Sequence, residues 1–359
     1  MRASAKENLL AKVVRLADML DLKRIVPPRG LIAIKLHFGE KGNTAYIRPT
    51  FVRQIVDRVR TLGAFPFLTD ANTLYAGTRA DSVSHLHTAI ENGFSFSVVN
   101  APLIIADGLR GSTSAAVKIQ QEIVKTAYIG KEIVEADGLI SLAHFKGHEL
   151  SGFGGTLKNL GMGCASRRGK MVQHADLSPK ITRKKCVGCG ECVEHCAQSA
   201  LSLREQKAEI DPKKCIGCGE CLLICSNKAI DVRWNSDMVL FQKKLVEHAL
   251  AVLKGKEGKV AFLNFLTQIS PACDCYGHSD APIVHDLGIM ASLDPVAIDQ
   301  ASVDMVNRQK GLEGTSLAAN KNPGEDKFGG LYPSVDWTVQ LEHAEKIGLG
   351  SRGYELVTI

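Results

Sequence analysis

Eight cysteines in a duplicated spacing restrict this 359-residue chain more than any other feature. Cys186, Cys189, Cys192 and Cys196 follow Cys-x2-Cys-x2-Cys-x3-Cys, and Cys215, Cys218, Cys221 and Cys225 repeat it. The surroundings repeat too: Lys-Lys-Cys-Val-Gly-Cys-Gly-Glu-Cys at 184–192 against Lys-Lys-Cys-Ile-Gly-Cys-Gly-Glu-Cys at 213–221. Such self-similarity marks one supersecondary unit copied within the chain. Thiolates two residues apart can wrap one corner of an iron–sulfur cubane, and glycines at 188, 190, 217 and 219 permit the tight turns. In this spacing the fourth cysteine ligates the other cluster. The expectation is two [4Fe–4S] clusters, one on Cys186, Cys189, Cys192 and Cys225, the other on Cys215, Cys218, Cys221 and Cys196. Zinc also takes Cys-x2-Cys pairs, but the duplicated set of eight favours iron–sulfur.

Residues 180–232 as a whole resemble bacterial two-cluster ferredoxins, which implies a small α+β module. Two departures stand out: the proline that usually follows the fourth cysteine is replaced by Ala197 and Ser226, which loosens the turn without removing a ligand.

On either side of this segment the pattern is different. Residues 7–20, 49–62, 80–92, 236–254 and 294–308 have helical periodicity, the last with Asp294 as N-cap and Pro295 at the first helical position. Apolar runs at 31–36, 65–68, 102–106, 138–142 and 259–265 read as strands, and 354–359 as a terminal one. Strands alternating with helices predict an α/β fold, a mostly parallel sheet with helices on both faces. The two-cluster module is then an insertion: 1–179 and 233–359 are two parts of one domain, and 180–232 lies between them. The glycine- and lysine-rich stretch 311–330 reads as a loop, either mobile or covering a site.

The composition, 45% hydrophobic and 23% charged, is that of a globular chain long enough to bury a core without disulfides, so the 11 cysteines call for another explanation. No apolar run approaches the roughly 20 residues of a membrane span, and the opening Met1-Arg-Ala-Ser-Ala-Lys-Glu lacks a secretory h-region. The expectation is a cytoplasmic protein, where clustered thiols usually mean metal. The net charge of +6 includes two short basic runs, Arg167-Arg168-Gly169-Lys170 and Arg183-Lys184-Lys185, which read first as solvated faces and second as a contact for phosphate. With no aromatic platform beside them, nucleic acid is a poor candidate partner.

In a parallel sheet chemistry gathers where strands end. Polar loops follow apolar runs at His37-Phe-Gly-Glu40, Asp70-Ala-Asn72 and His144-Phe-Lys146-Gly-His148. Gly152-Phe-Gly154-Gly155 precedes a helical pattern that carries Lys158 and Asn159, and its amides could face an anion. His144, His148 and Lys158 are the candidate catalytic residues; His37 and Glu40 are weaker ones. Three further cysteines, Cys164, Cys273 and Cys275, are candidate ligands of a third cluster or a soft metal.

Lys35-Leu-His37-Phe-Gly-Glu40, His144-Phe-Lys-Gly-His148, Gly154-Gly-Thr-Leu-Lys-Asn-Leu-Gly161 and Asp294-Pro-Val-Ala-Ile-Asp299 together resemble the ferredoxin-bearing form of the family catalogued as domain of unknown function 362. That resemblance implies a cluster-binding protein and no particular reaction. The Gly-Gly-x-x-Lys stretch is also similar to a glycine–lysine turn of nickel-pincer lactate racemases, one residue different in spacing. The leading expectation is an iron–sulfur oxidoreductase. It would exchange electrons with a soluble donor or acceptor protein and act on a small anionic substrate. Alternatives are a non-enzymatic electron-transfer subunit that docks a partner oxidoreductase, and a metal-dependent isomerase or racemase with structural clusters. No Cys-x3-Cys-x2-Cys signature occurs, which argues against radical chemistry from adenosylmethionine.

Overall fold

The computed structural model describes residues 7–75, 77–174, 179–196, 198–215, 219–231 and 237–359. Residues 1–6, on which the targeting argument rests, lie outside the described residues, as do Ala197, Gly217, Cys218 and the 232–233 boundary. The apolar runs form a six-stranded sheet from β1 (Leu31–Lys35), β2 (Phe65–Asp70), β3 (Leu103–Ile105), β4 (Gly138–His144), β5 (Val260–Leu266) and β6 (Gly288–Ser292). Its order is β6-β5-β4-β1-β2-β3, and every neighbouring pair is parallel except β5 with β6. The sheet draws strands from before and after the cysteine-rich segment.

A sheet covered on both faces needs apolar residues at odd and even positions alike. Along β5, Ala261, Leu263 and Phe265 pack with Val13 of α1 (Leu9–Met19) and with Val52 and Ile55 of α2 (Pro49–Thr61). Phe262 and Leu266 point the other way. They join Leu157 of α3 (Thr156–Gly161), Leu245 of α4 (Met238–Leu253), Val296 of α5 (Pro295–Asn307) and Leu341 of α6 (Thr338–Lys346). Local signals start several of these helices. Asn8 caps α1, and the Asp294 carboxylate accepts from Val296 and Ala297 N–H at 2.8 and 2.9 Å.

Two expectations fail here. Residues 354–359 form no strand, because the edge place beside β5 is taken by β6, and Tyr354 instead hydrogen-bonds Asp304 on α5. The 311–330 stretch is not all loop: Lys327–Leu331 is a short helix, and buried Lys327 donates to the carbonyls of Asn307, Asn322 and Glu325 at 3.2, 2.6 and 2.9 Å. The periodicity also missed β6 and the hairpin Ser114–Lys118/Thr126–Gly130; β6 and Ser114–Lys118 are only partly buried, while Thr126–Gly130 sends Ala127 and Ile129 into the core.

The cysteine-rich segment is built from short pieces. Lys180–Ile181 pairs antiparallel with Ile230–Asp231, Leu201–Arg204 with Lys207–Ile210, and two short helices, Glu191–Glu194 and Glu220–Ile224, follow Gly190 and Gly219. No helix among the described residues is long and apolar enough to cross a membrane.

Candidate functional site

From β1 the chain moves outward through β2 to β3, and from β4 it moves the opposite way to β5. The crevice between β1 and β4 is therefore a topological switch point, where ligands of open α/β sheets bind beyond the strand carboxyl ends. A cavity of about 520 Å³ lies there. Lys35 and His37 enter it from the end of β1, Asp70 from β2, Lys146 and His148 from the segment after β4, and Lys158 from α3.

Charge in this cavity is ordered by buried pairs. Lys35 Nζ lies 3.0 Å from Asp70 Oδ1, and Arg79 bridges Asp70 at 3.3 Å and Glu40 at 3.2 Å. Asp274 is wholly buried and meets His144 Nδ1 at 2.8 Å and Lys146 Nζ at 3.1 Å. Burial opposes its charge, yet His144 and Lys146 hold its carboxyl well below the usual range. Lys158 and Lys170 also line the cavity. No carboxylate among the described residues lies within ion-pair distance of Lys158, whose Nζ is 3.0 Å from Cys273 Sγ. Burial, with Lys146 nearby, pushes Lys158 down to about 7, and burial takes Lys170 down to about 8. A buried ammonium without a counter-ion is costly. An anion in the cavity would relieve that cost.

The structure keeps some of the candidate residues together and separates others. His148 and Lys158 both line the cavity; burial and the Lys158 charge keep the His148 imidazole well below its ordinary value, so it stays neutral. His144 does not line it. Its Nδ1 faces Asp274, its Nε2 donates to the Thr267 carbonyl at 2.9 Å, and the ring clamps β4 to the loop after β5. His37 lines the cavity, its Nδ1 accepting from Gly39 N–H, while Glu40 is spent on Thr78, Tyr75 and Arg79. The first two amides after the glycine-rich turn are already taken: the Asp299 carboxylate accepts from Thr156 and Leu157 N–H at 2.7 and 2.8 Å, while Gly155 lines the cavity. Gly155 is required because a Cβ there would lie 2.3 Å from Asp299 Oδ1.

The three-thiol metal site is not formed. Cys273 and Cys275 are joined as a disulfide at the cavity wall, whereas Cys164 is packed into the core with its thiol pushed up to about 12 by burial. Among the described residues no group of three or more His, Cys, Asp or Glu is arranged to hold a single metal ion. The basic run at 167–170 is no solvated face either. Arg167 and Lys170 are buried, and the Arg168 guanidinium sits 3.7 Å above the Tyr128 ring. Arg183 is tied to Glu205 and Glu209.

In the cysteine-rich segment, one small cavity is lined by Cys186, Cys189, Cys192 and Cys225, and another by Cys196, Cys215 and Cys221. The halves match in detail: Ala200 N–H points at Cys196 Sγ and Ala229 N–H at Cys225 Sγ, each at 3.2 Å and four residues downstream. The Cys186 thiol is held down by the Ala208 amide, which donates to it at 3.4 Å, and by Gly188 and Lys207. Burial and the neighbouring Cys186, Cys189 and Cys225 raise the Cys192 thiol. This segment meets the domain at the large cavity. Arg167 Nη2 donates to the Gly219 carbonyl at 3.0 Å, and Leu222 packs on Leu74 and Met171. Gly219 lines the Cys196/Cys215/Cys221 cavity and, with φ +73°, approaches Leu74 so closely that a Cβ would lie 3.1 Å from its Cδ1. Leu74 in turn lines the large cavity.

Sequence reasoning did not reach Tyr75, Arg79, His174 or Asp274, which come from three separate segments, and it took Lys170 only as part of a basic run whose second reading was a phosphate contact. Only Asp274 carried a signal, an acidic residue between two cysteines in a polar loop. No curated protein matches the chain. Among solved structures it is similar to the lactate racemase apoprotein from Thermoanaerobacterium thermosaccharolyticum, at 13% identity and a TM-score of 0.37, over 78% of this chain and 52% of that one. The chain thus spans about half the length of that protein. Residues 32–304 match the model of the family described as Domain of unknown function (DUF362), so that over most of its length the chain belongs to the DUF362 family.

Proposed function

We propose that this chain is an iron–sulfur oxidoreductase, in which a two-cluster module delivers electrons to a small anionic substrate held in the cavity at the switch point. The observation that carries the reading is the shared wall: Leu222 of the cysteine-rich segment packs on Leu74, which lines the cation-lined cavity, and Gly219, which lines one thiol-lined cavity, would set a Cβ 3.1 Å from the same Leu74. Cys186, Cys189, Cys192 and Cys225 would hold one cluster, and Cys196, Cys215, Cys221 and Cys218 the other, with Cys218 outside the described residues. The donor set fits an iron–sulfur group. Four thiols face one cavity, amides point at the sulfurs, and burial together with the neighbouring thiols raises Cys192, a cost that bound iron would offset. When bound, such clusters exchange single electrons at potentials set by these hydrogen bonds and by burial.

The remaining roles fall to the chain's own side chains. Lys158 and Lys170 attract the anion; Lys146, fixed by Asp274, adds a third positive charge; His148 offers a neutral ring beside them. Arg167 and Leu222 hold the module against this wall.

The test is iron and sulfide analysis of the full chain purified without oxygen, with electron paramagnetic resonance after reduction. About eight irons per chain and a low-potential signal are expected. Colourless, iron-free protein, or protein with zinc in its place, would end the reading.

A further inference from the structure

The Cys273–Cys275 bond has no place in the reading above. It joins two residues of one loop, Pro271-Ala-Cys-Asp-Cys275, and both cysteines line the large cavity. Cys273 is buried and Cys275 is partly open to the cavity. The backbone between them is fixed. Asp274 is held through its side chain by His144 and Lys146 and through its carbonyl by Glu40 N–H at 3.0 Å, and Tyr75 OH donates to the Cys275 carbonyl at 3.0 Å. Opening the bond would therefore leave the backbone in place, and the two sulfurs need only swing apart to ordinary contact distance. Lys158 Nζ, 3.0 Å from Cys273 Sγ, is already placed to receive a thiolate there. A cation beside a cysteine favours the thiolate, the form that attacks a disulfide.

We propose that Cys273 and Cys275 are a redox-active pair that converts single-electron supply into two-electron reduction of a small anionic disulfide bound among Lys146, Lys158 and Lys170. The proposal rests on the iron–sulfur reading for its electrons, which come one at a time from an external low-potential donor. Two electrons and two protons open the Cys273–Cys275 bond to two thiols. The more open Cys275, as thiolate, attacks one sulfur of the substrate and expels the other half as a thiolate, forming a mixed disulfide. Cys273 then attacks Cys275 Sγ, re-forms the protein disulfide and releases the second half. Two substrate thiols result, and the electrons and protons balance. Lys158 stabilises the Cys273 thiolate for the second attack. The cationic lining selects for anionic substrates.

The experiment uses the full chain, iron-replete and free of oxygen, with reduced methyl viologen as donor. Samples are acid-quenched and alkylated, and the peptide carrying both cysteines is weighed. The pair is expected to be unalkylated at rest and doubly alkylated after viologen. It should return to the unalkylated form with dithiodiglycolate, a dianion, at least ~10-fold faster than with the dication cystamine. A phosphine-reduced sample reoxidised by the same two compounds tests the thiol chemistry apart from the clusters, so iron-free protein would sink the electron supply alone. The pair is overturned if iron-replete protein shows clusters reduced by viologen while the bond stays closed, if the cysteines are thiols in every state, or if cystamine reacts as fast as dithiodiglycolate. Lys158→Gln should raise the pH at which Cys273 alkylates, and Lys158→Arg should restore it; equal profiles in all three would remove Lys158 from the step.

Discussion

In the segment around residues 180–231, sulfurs are held by backbone amides, Ala200 to Cys196, Ala208 to Cys186 and Ala229 to Cys225, and the core among the described residues is small: Leu201, Ala208, Ala229 and Ile230 with the thiols of Cys186 and Cys192. In the large cavity the cations Lys35, Arg79 and Lys146 are held by the buried carboxylates Asp70, Glu40 and Asp274, delivered from distant parts of the chain onto a sheet packed on both faces. The first arrangement leaves the segment short of apolar burial, so that under the iron–sulfur reading its stability would come from the bound clusters. The second stands on its own core and spends its ion pairs on position. Removing one partner of a buried pair is severe, whereas a pair kept whole adds little net stability.

The largest expected effect exploits this difference. Stripping bound metal with a chelator should unfold 180–231 and leave the sheet intact. Hydrogen exchange by mass spectrometry should show the segment fully exchanged while β1, β4 and β5 stay protected; loss of protection in both regions together would break the comparison. Next, Asp274→Ala leaves His144 and Lys146 buried without their carboxylate and should cost about 3–5 kcal/mol by denaturant unfolding. A cost near zero would mean that the pairs do not position the cavity.

A third effect concerns pH. Lys158 attracts an anion only while protonated, and its folded value lies near 7, below its ordinary one. Binding of an anionic ligand such as dithiodiglycolate, measured by calorimetry, should therefore be strong below pH 7. It should weaken as pH rises above that value, approaching roughly tenfold per unit. Lys158→Met should flatten the profile. Gly219→Ala places a side chain at φ +73° against Leu74 and should cost about 1–2 kcal/mol, loosening the contact between module and cavity without removing a thiol. The smallest effect serves as a control remote from both regions: Asp294→Ala, losing the cap of α5, should cost about 1 kcal/mol with no change in iron content or anion binding.

How much was legible follows from the range of each interaction. The helices and parallel strands were readable because burial on two faces leaves long apolar runs, and Asp294-Pro295 announced its helix by local capping. Edge strand β6, half exposed, left no such trace. His148 and Lys158 sat in recognisable polar loops and do line the cavity; His144 sat in the same loop, yet its ring turns away to Asp274. Cys164 looked equivalent to Cys273 and Cys275 in sequence and lies in a different environment altogether.

By itself, the sequence determined the duplicated cysteine spacing, the alternation of strands and helices, and the strand-end loops that border the cavity. These rest on contacts between residues a few positions apart, which spacing encodes directly. Only the tertiary structure decided that Asp299 would cap the helix after the glycine-rich turn, that Asp274 would bind His144 and Lys146, and that Leu222 would pack on Leu74. Each of those joins segments far apart in the chain. Their meeting depends on strand order and on which partner satisfies a buried charge, and no local pattern carries that information.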